Sequence, residues 1–82
     1  MIYVTLDGNV ILNKNDLHKS LKEQLNLPNY YGNNLDALDE ILEDYNVTIN
    51  IVNSYLLETH LDSYYHQFLK VLHNNNVKMN IQ

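Results

Sequence analysis

Five carboxylates stand together in one short stretch, Asp36, Asp39, Glu40, Glu43 and Asp44, with no Lys or Arg among them. Such spacing suits three kinds of chemistry: holding a hard cation, exchanging protons as an acid and base pair, or meeting the cations of a partner protein. On a helix turning roughly 100° per residue, they fall in the order Asp39, Glu43, Asp36, Glu40, Asp44 within one arc of about 140°. Leu35, Ala37, Leu38, Ile41, Leu42 and Tyr45 fill the other side. A convex helix cannot wrap a calcium ion, which draws about six to eight oxygens from a turning loop. Acid–base catalysis needs a concave, partly dry site that sets two pKa values apart, and a small domain offers little concavity. Ordinary solvated faces are charged too, but they mix signs, because like charges at i, i+4 destabilise by roughly 0.2–0.5 kcal/mol per pair. Asp36/Glu40, Asp39/Glu43 and Glu40/Asp44 are all such pairs, and Glu43 and Asp44 sit at the unfavourable end of the helix dipole. A helix that accepts these penalties points to a cationic partner.

The charge of the whole chain leads the same way. Ten carboxylates face five lysines, no arginine is present, and the net charge is −5, which repels nucleic-acid phosphates and attracts a basic partner. Solubility alone would explain the net charge. It explains less well why eight acids and no Lys or Arg lie between Lys22 and Lys70. The absence of cysteine excludes disulfides, thiolate metal sites and thiol catalysis. No apolar run approaches the roughly 20 residues that span a bilayer, and Met1–Leu6 begins a strand pattern, not a signal peptide. The expectation is a soluble, cytoplasmic protein with no membrane contact. No Gly-rich phosphate loop or nucleophile elbow occurs, and neither an enzyme activity, a cofactor nor a metal is expected. His66 and His73 lie about 10 Å apart along a helix, too far to share a metal; His18 and His60 have no evident partners, and all four read as solvated or satisfied histidines.

Before the acidic helix comes Leu27-Pro28-Asn29-Tyr30-Tyr31-Gly32-Asn33-Asn34. Tyrosines beside glycine and amide side chains make up a composition typical of binding loops. One tyrosine is expected to pack inward and the other to face out, with Gly32 either a flexible loop residue or a position needing positive φ.

Three strands and three helices must hold these residues in place. Ile2, Val4 and Leu6 alternate with Tyr3 and Thr5; Val47, Ile49 and Ile51 with Thr48 and Asn50; Val77, Met79 and Ile81 with Lys78, Asn80 and Gln82. Leu17, Leu21 and Leu25 mark a first helix capped by Asn15 and ending before Leu27-Pro28. Leu35, Leu38, Leu42 and Tyr45 mark a second, capped by Asn33 or Asn34. Leu61, Tyr65, Phe68, Leu69 and Leu72 mark a single last helix, stopped at Asn74–Asn76. Helical crossovers make the strands parallel. One apolar face per strand puts every helix on one side, so the expected architecture is a two-layer α/β sandwich forming one domain over residues 1–82. A hairpin at Asp7-Gly8 carries less weight, because Asn9–Asn13 leads straight into the first helix.

Asp16-Leu17-His18, Leu21-Lys22 and, without a gap, Leu27-Pro28-Asn29-Tyr30-Tyr31-Gly32-Asn33-Asn34-Leu35-Asp36-Ala37-Leu38 resemble the barstar family of intracellular ribonuclease inhibitors, and the order of elements fits along the whole chain. The resemblance implies a barstar-like sandwich that plugs the active site of a basic, extracellular-type microbial ribonuclease, one to one and from a monomer when free, with carboxylates standing where RNA phosphates would lie. Carried over by position, Tyr30 is similar to the loop tyrosine that lies on the partner, and Asn34 and Leu35 to contacts at the helix start. Asp36 matches the first-turn aspartate. Glu40 matches the acid one turn on that enters the phosphate site, one methylene longer here. Asp39 stands where the family's namesake has a tryptophan, and Lys70 and Val71 occupy the region of an acid in its last helix. Gly32 and Glu43 complete the expected partner-binding set of Tyr30, Gly32, Asn34, Leu35, Asp36, Asp39, Glu40 and Glu43. The alternative is an immunity protein or antitoxin of the same fold whose basic toxin is not a ribonuclease.

Overall fold

The alternating segments become three strands, β1 (Ile2–Asp7), β2 (Val47–Val52) and β3 (Lys78–Ile81), in a computed structural model that describes residues 2–82. Met1 of the expected domain lies outside the described residues. The strands pair in the order β1-β2-β3, both pairs parallel. Register brings Val4, Ile49 and Met79 into one row and Leu6, Ile51 and Ile81 into the next. Val4, Leu6, Ile49 and Ile51 are fully buried beneath the helices. The opposite rows, Tyr3-Thr48-Lys78 and Thr5-Asn50-Asn80, form the polar face, where Asn80 Nδ2 donates to Asn50 Oδ1 at 2.8 Å. The two-layer arrangement follows from this one-sided apolarity. Thr48 departs from it, being buried on the polar side of the central strand. The Gln24 side chain covers part of the open edge of β1: its Oε1 accepts from Thr5 N at 2.9 Å and its Nε2 donates to Thr5 O at 2.8 Å.

The helices are α1 (Lys14–Leu25), α2 (Leu35–Leu42), α3 (Ser54–Leu61) and α4 (Ser63–Asn74). They supply the other half of the core through the fully buried Leu17, Leu21, Leu38, Leu57, Phe68 and Leu72. None of the described helices is long and apolar enough to cross a membrane. Three expectations are corrected. The cap of α1 is Asn13, not Asn15: its Oδ1 accepts from Asp16 N at 2.8 Å while Asp16 Oδ2 accepts from Leu12 N at 3.0 Å, a pair of bonds that brackets the cap and starts the helix two residues sooner. The single last helix is two, broken at Asp62 with φ 56° and ψ −132°. Leu57, Leu61, Tyr65, Phe68 and Leu72 keep one apolar spacing across the break, so periodicity does not reveal it. Finally, α2 stops at Leu42, and Tyr45 packs half-buried beyond it.

Asparagine does much of the turning. Asn26, Asn33, Asn53 and Asn76 all take φ between 52° and 55°, each at the end or start of an element. Asparagine tolerates this left-handed conformation better than other residues with a Cβ. Neither glycine has positive φ; Asn33, not Gly32, supplies it in the loop. At the end of β1 no hairpin forms. Val10 N and Ile11 N both donate to Asp7 O, at 3.1 and 3.0 Å, turning the chain toward α1.

Candidate partner-binding site

The loop before α2 is anchored at its start by the way α1 ends. Leu25 is followed by Asn26 in the left-handed conformation, and Leu27 N reaches back to Lys22 O at 2.9 Å, a closure that satisfies a terminal carbonyl and buries Leu27. Tyr31 N then donates to Pro28 O at 3.0 Å, making a tight turn. That turn separates the two tyrosines. Tyr31 points into the core with 6% of its surface exposed, whereas Tyr30 is 88% exposed.

Tyr31 is held from inside by a residue expected to have no partner. His18 is fully buried on α1, its Nδ1 2.8 Å from Tyr31 Oη and its Nε2 2.7 Å from Tyr64 Oη on α4. Burial holds the His18 imidazole below the usual histidine range and pushes the Tyr31 phenol well above its ordinary value, with Tyr64 adding to the latter shift. His60 also has a partner, donating from Nδ1 to Ile11 O at 3.0 Å. Neither link is visible in the sequence, because the partners lie 13, 46 and 49 residues away and share no periodic pattern with the histidines.

At the start of α2, Asn34 is the cap: its Oδ1 accepts from Ala37 N at 2.8 Å and its Nδ2 donates to Gly32 O at 3.1 Å, tying the loop to the first helical turn. Leu35 is half-buried behind it, and Leu38 and Leu42 are buried beneath the helix. The apolar stripe thereby fixes which way the acids face. Asp36, Asp39 and Glu40 are exposed on α2, Glu43 is exposed at its C-cap and Asp44 just beyond. Among the described residues, the side chains of Asp36, Glu40, Glu43 and Asp44 have no hydrogen-bond or ion-pair partner, and the one contact of this kind brings His66 Nε2 to 3.0 Å from Glu58 Oε2. Asp39 differs from its neighbours. Its Oδ1 accepts from Asn75 Nδ2 at 2.6 Å, an amide that also donates to Val71 O at 2.9 Å at the end of α4. Asn75 reads in the sequence only as part of a helix stop, so this tether is legible only once α2 and α4 are packed together.

The arrangement is thus an outward aromatic ring, a capped helix start and a row of unpaired carboxylates on one continuous stretch of chain. Among the described residues no cluster of three or more His, Asp or Glu side chains is placed to hold a metal ion. Chemically, the stretch offers negative charge and an aromatic surface to a cationic partner.

Both a family model and a known protein match the chain. The family model described as "Barstar (barnase inhibitor)" matches residues 1–80. A Bacillus subtilis (strain 168) protein carrying the description "Putative ribonuclease inhibitor YrdF" is 38% identical over 72 residues, covering 84% of this chain and 79% of that protein.

Proposed function

The chain belongs to the barstar family, and on that premise we propose that it inhibits a basic, extracellular-type microbial ribonuclease, one to one, by occupying its active site with α2 and the loop before it. The carboxylates of Asp36 and Glu40 stand in for RNA phosphates, and Tyr30 lies flat on the partner. The observation that carries this reading is a helical face of exposed acids with no lysine of this chain paired to them. A fold gains nothing from such a face, since like charges one turn apart destabilise the helix. A basic cleft would neutralise it.

Titration against basic secreted ribonucleases of the barnase type tests the reading through residual RNA cleavage. Truncating an acid that meets buried cations leaves them desolvated and unpaired, at a cost of about 2–5 kcal/mol, a general range to which the barnase–barstar pair has itself contributed. Glu40→Ala is therefore expected to weaken inhibition most, Asp36→Ala next, Tyr30→Ala through loss of an aromatic anchor, and Asp44→Ala hardly at all. Asp39→Ala falls between, because Asn75 already holds that carboxylate toward α4. Full inhibition by both Glu40→Ala and Asp36→Ala would defeat the phosphate-mimic mechanism.

A further inference from the structure

His18 is the buried titratable group that inhibition by α2 leaves unused, and its place in the fold gives it a task. We propose that His18 is a positioning residue for the partner-binding loop, holding Tyr31, and through it Tyr30, only while its imidazole is neutral, so that the hold on the ribonuclease loosens as pH falls. The proposal rests on the reading that the Tyr30 loop docks on the partner.

The ring joins three elements. It belongs to α1, reaches the loop through Tyr31 Oη at 2.8 Å and reaches α4 through Tyr64 Oη at 2.7 Å, with the tyrosine ring centroids 5.8 and 6.0 Å away. A neutral imidazole has one donor nitrogen and one acceptor. One tyrosine hydroxyl therefore donates to His18 and the other accepts from it. Protonation turns both nitrogens into donors, and the hydroxyl that had been donating must turn its proton elsewhere. Tyr64 is half-buried, but Tyr31 is almost wholly buried and its hydroxyl has no second partner among the described residues. The charged form also lacks a counter-ion. From α1 the nearby charge is Lys14, whose Nζ lies 5.1 Å from the centroid of the Tyr64 ring, and the loop and α4 present the phenols of Tyr31 and Tyr64, neutral groups that burial moves still further from ionising. A buried imidazolium between two phenols and beside an ammonium is unfavourable.

The sign follows from the direction of the shift. His18 is held below its ordinary value by burial, so the closed loop favours the neutral ring and an opened loop takes up the proton more readily. The hold is complete above about pH 6.5, the value of an unperturbed histidine. It is lost as pH falls from there through the depressed value. Tyr30 is the next residue to Tyr31 and loses its fixed position with it.

Two measurements test the proposal. In the free protein, an NMR titration from pH 8 to pH 5 should move the His18 imidazole and the backbone amides of residues 29–33 with one common midpoint. The loop movement should be absent in His18→Gln, whose amide never titrates yet can donate to one hydroxyl and accept from the other. In the complex, the dissociation rate of the wild type relative to His18→Gln should rise with falling pH, by no more than about tenfold per pH unit, the limit for one proton. Taking the ratio removes the nuclease's own titrating groups. The proposal is overturned if the loop amides stay still while His18 titrates, if His18 titrates only together with global unfolding, or if His18→Gln releases the nuclease with the wild-type pH profile. Should His18→Gln fail to fold, the wild-type imidazole and loop midpoints decide alone, since they either coincide or do not. Failure to inhibit at pH 8 strikes the reading of function and not the coupling of His18 to the loop.

Discussion

Gly8 shows how little room this small fold leaves around its turns. A Cβ built on it would lie 2.2 Å from Asn53 O and 2.6 Å from Leu57 N, both backbone atoms at the start of α3. Its φ is ordinary, so the requirement is for space and not for conformational freedom. Backbone cannot swing aside as a side chain can, and overpacking of this kind typically costs about 1–3 kcal/mol. Gly8→Ala is expected to sit at the upper end, lowering the thermal midpoint by roughly 12–24 °C, since 1 kcal/mol is about 4–8 °C at this size. An unchanged midpoint would show that α3 can move away from β1 without loss. Gly32→Ala offers a contrast: there the added atom meets only the Asn34 side-chain amide at 3.2 Å and the Ala37 Cβ at 3.4 Å.

The helix α2 is an eight-residue element that could not stand alone. Isolated helices shorter than about 12–15 residues are marginal in water, so its stability comes from packing and capping. Buried Leu38 and Leu42 supply the first, and Asn34 supplies the second, with a cap of this kind worth about 1 kcal/mol. These gains let the element carry an outer face that helix energetics disfavour. Glu43 sits at the C-cap, where the helix dipole is negative, and one turn from Asp39. Glu43→Lys is accordingly expected to raise the unfolding midpoint by an amount equivalent to about 0.3–1 kcal/mol, relieving a like-charge pair and complementing the helix end. Calorimetry checks this: a lowered midpoint would mean that Glu43 has a structural partner, contrary to its free carboxylate.

For the molecule as a whole, a net charge of −5, with five of the ten acids exposed on α2 and just beyond it, shapes how it meets a partner. Opposite charge accelerates encounter through long-range steering, and salt suppresses it because the screening length falls from about 10 Å at 0.1 M to about 3 Å at 1 M. Association with a basic ribonuclease, followed by stopped-flow, is expected to slow at least tenfold between those salt concentrations while dissociation changes less. An association rate that is flat across this range would count against the acidic face as the interface.

Much of this architecture is written locally, and that part was legible in the sequence. Period-two alternation marked the strands around Val4, Ile49 and Met79, and period-3.6 spacing marked α1 and α2. One apolar face per strand implied helices on one side only. The run from Leu27 to Leu38 pointed to the family, and of its two adjacent tyrosines one was expected to pack inward and the other to face out, as Tyr31 and Tyr30 do. What the sequence left open depends on residues far apart in the chain. The break at Asp62 is hidden because the apolar stripe passes through it unchanged, while the backbone needs a special φ and ψ that no spacing records. His18 between Tyr31 and Tyr64, Asp39 on Asn75, and Gly8 against α3 are each decided by which elements pack together, across 13 to 49 residues of chain. Periodicity specifies which face of an element turns inward. Only the tertiary structure decides what that face meets, because contact requires the packing of the whole core.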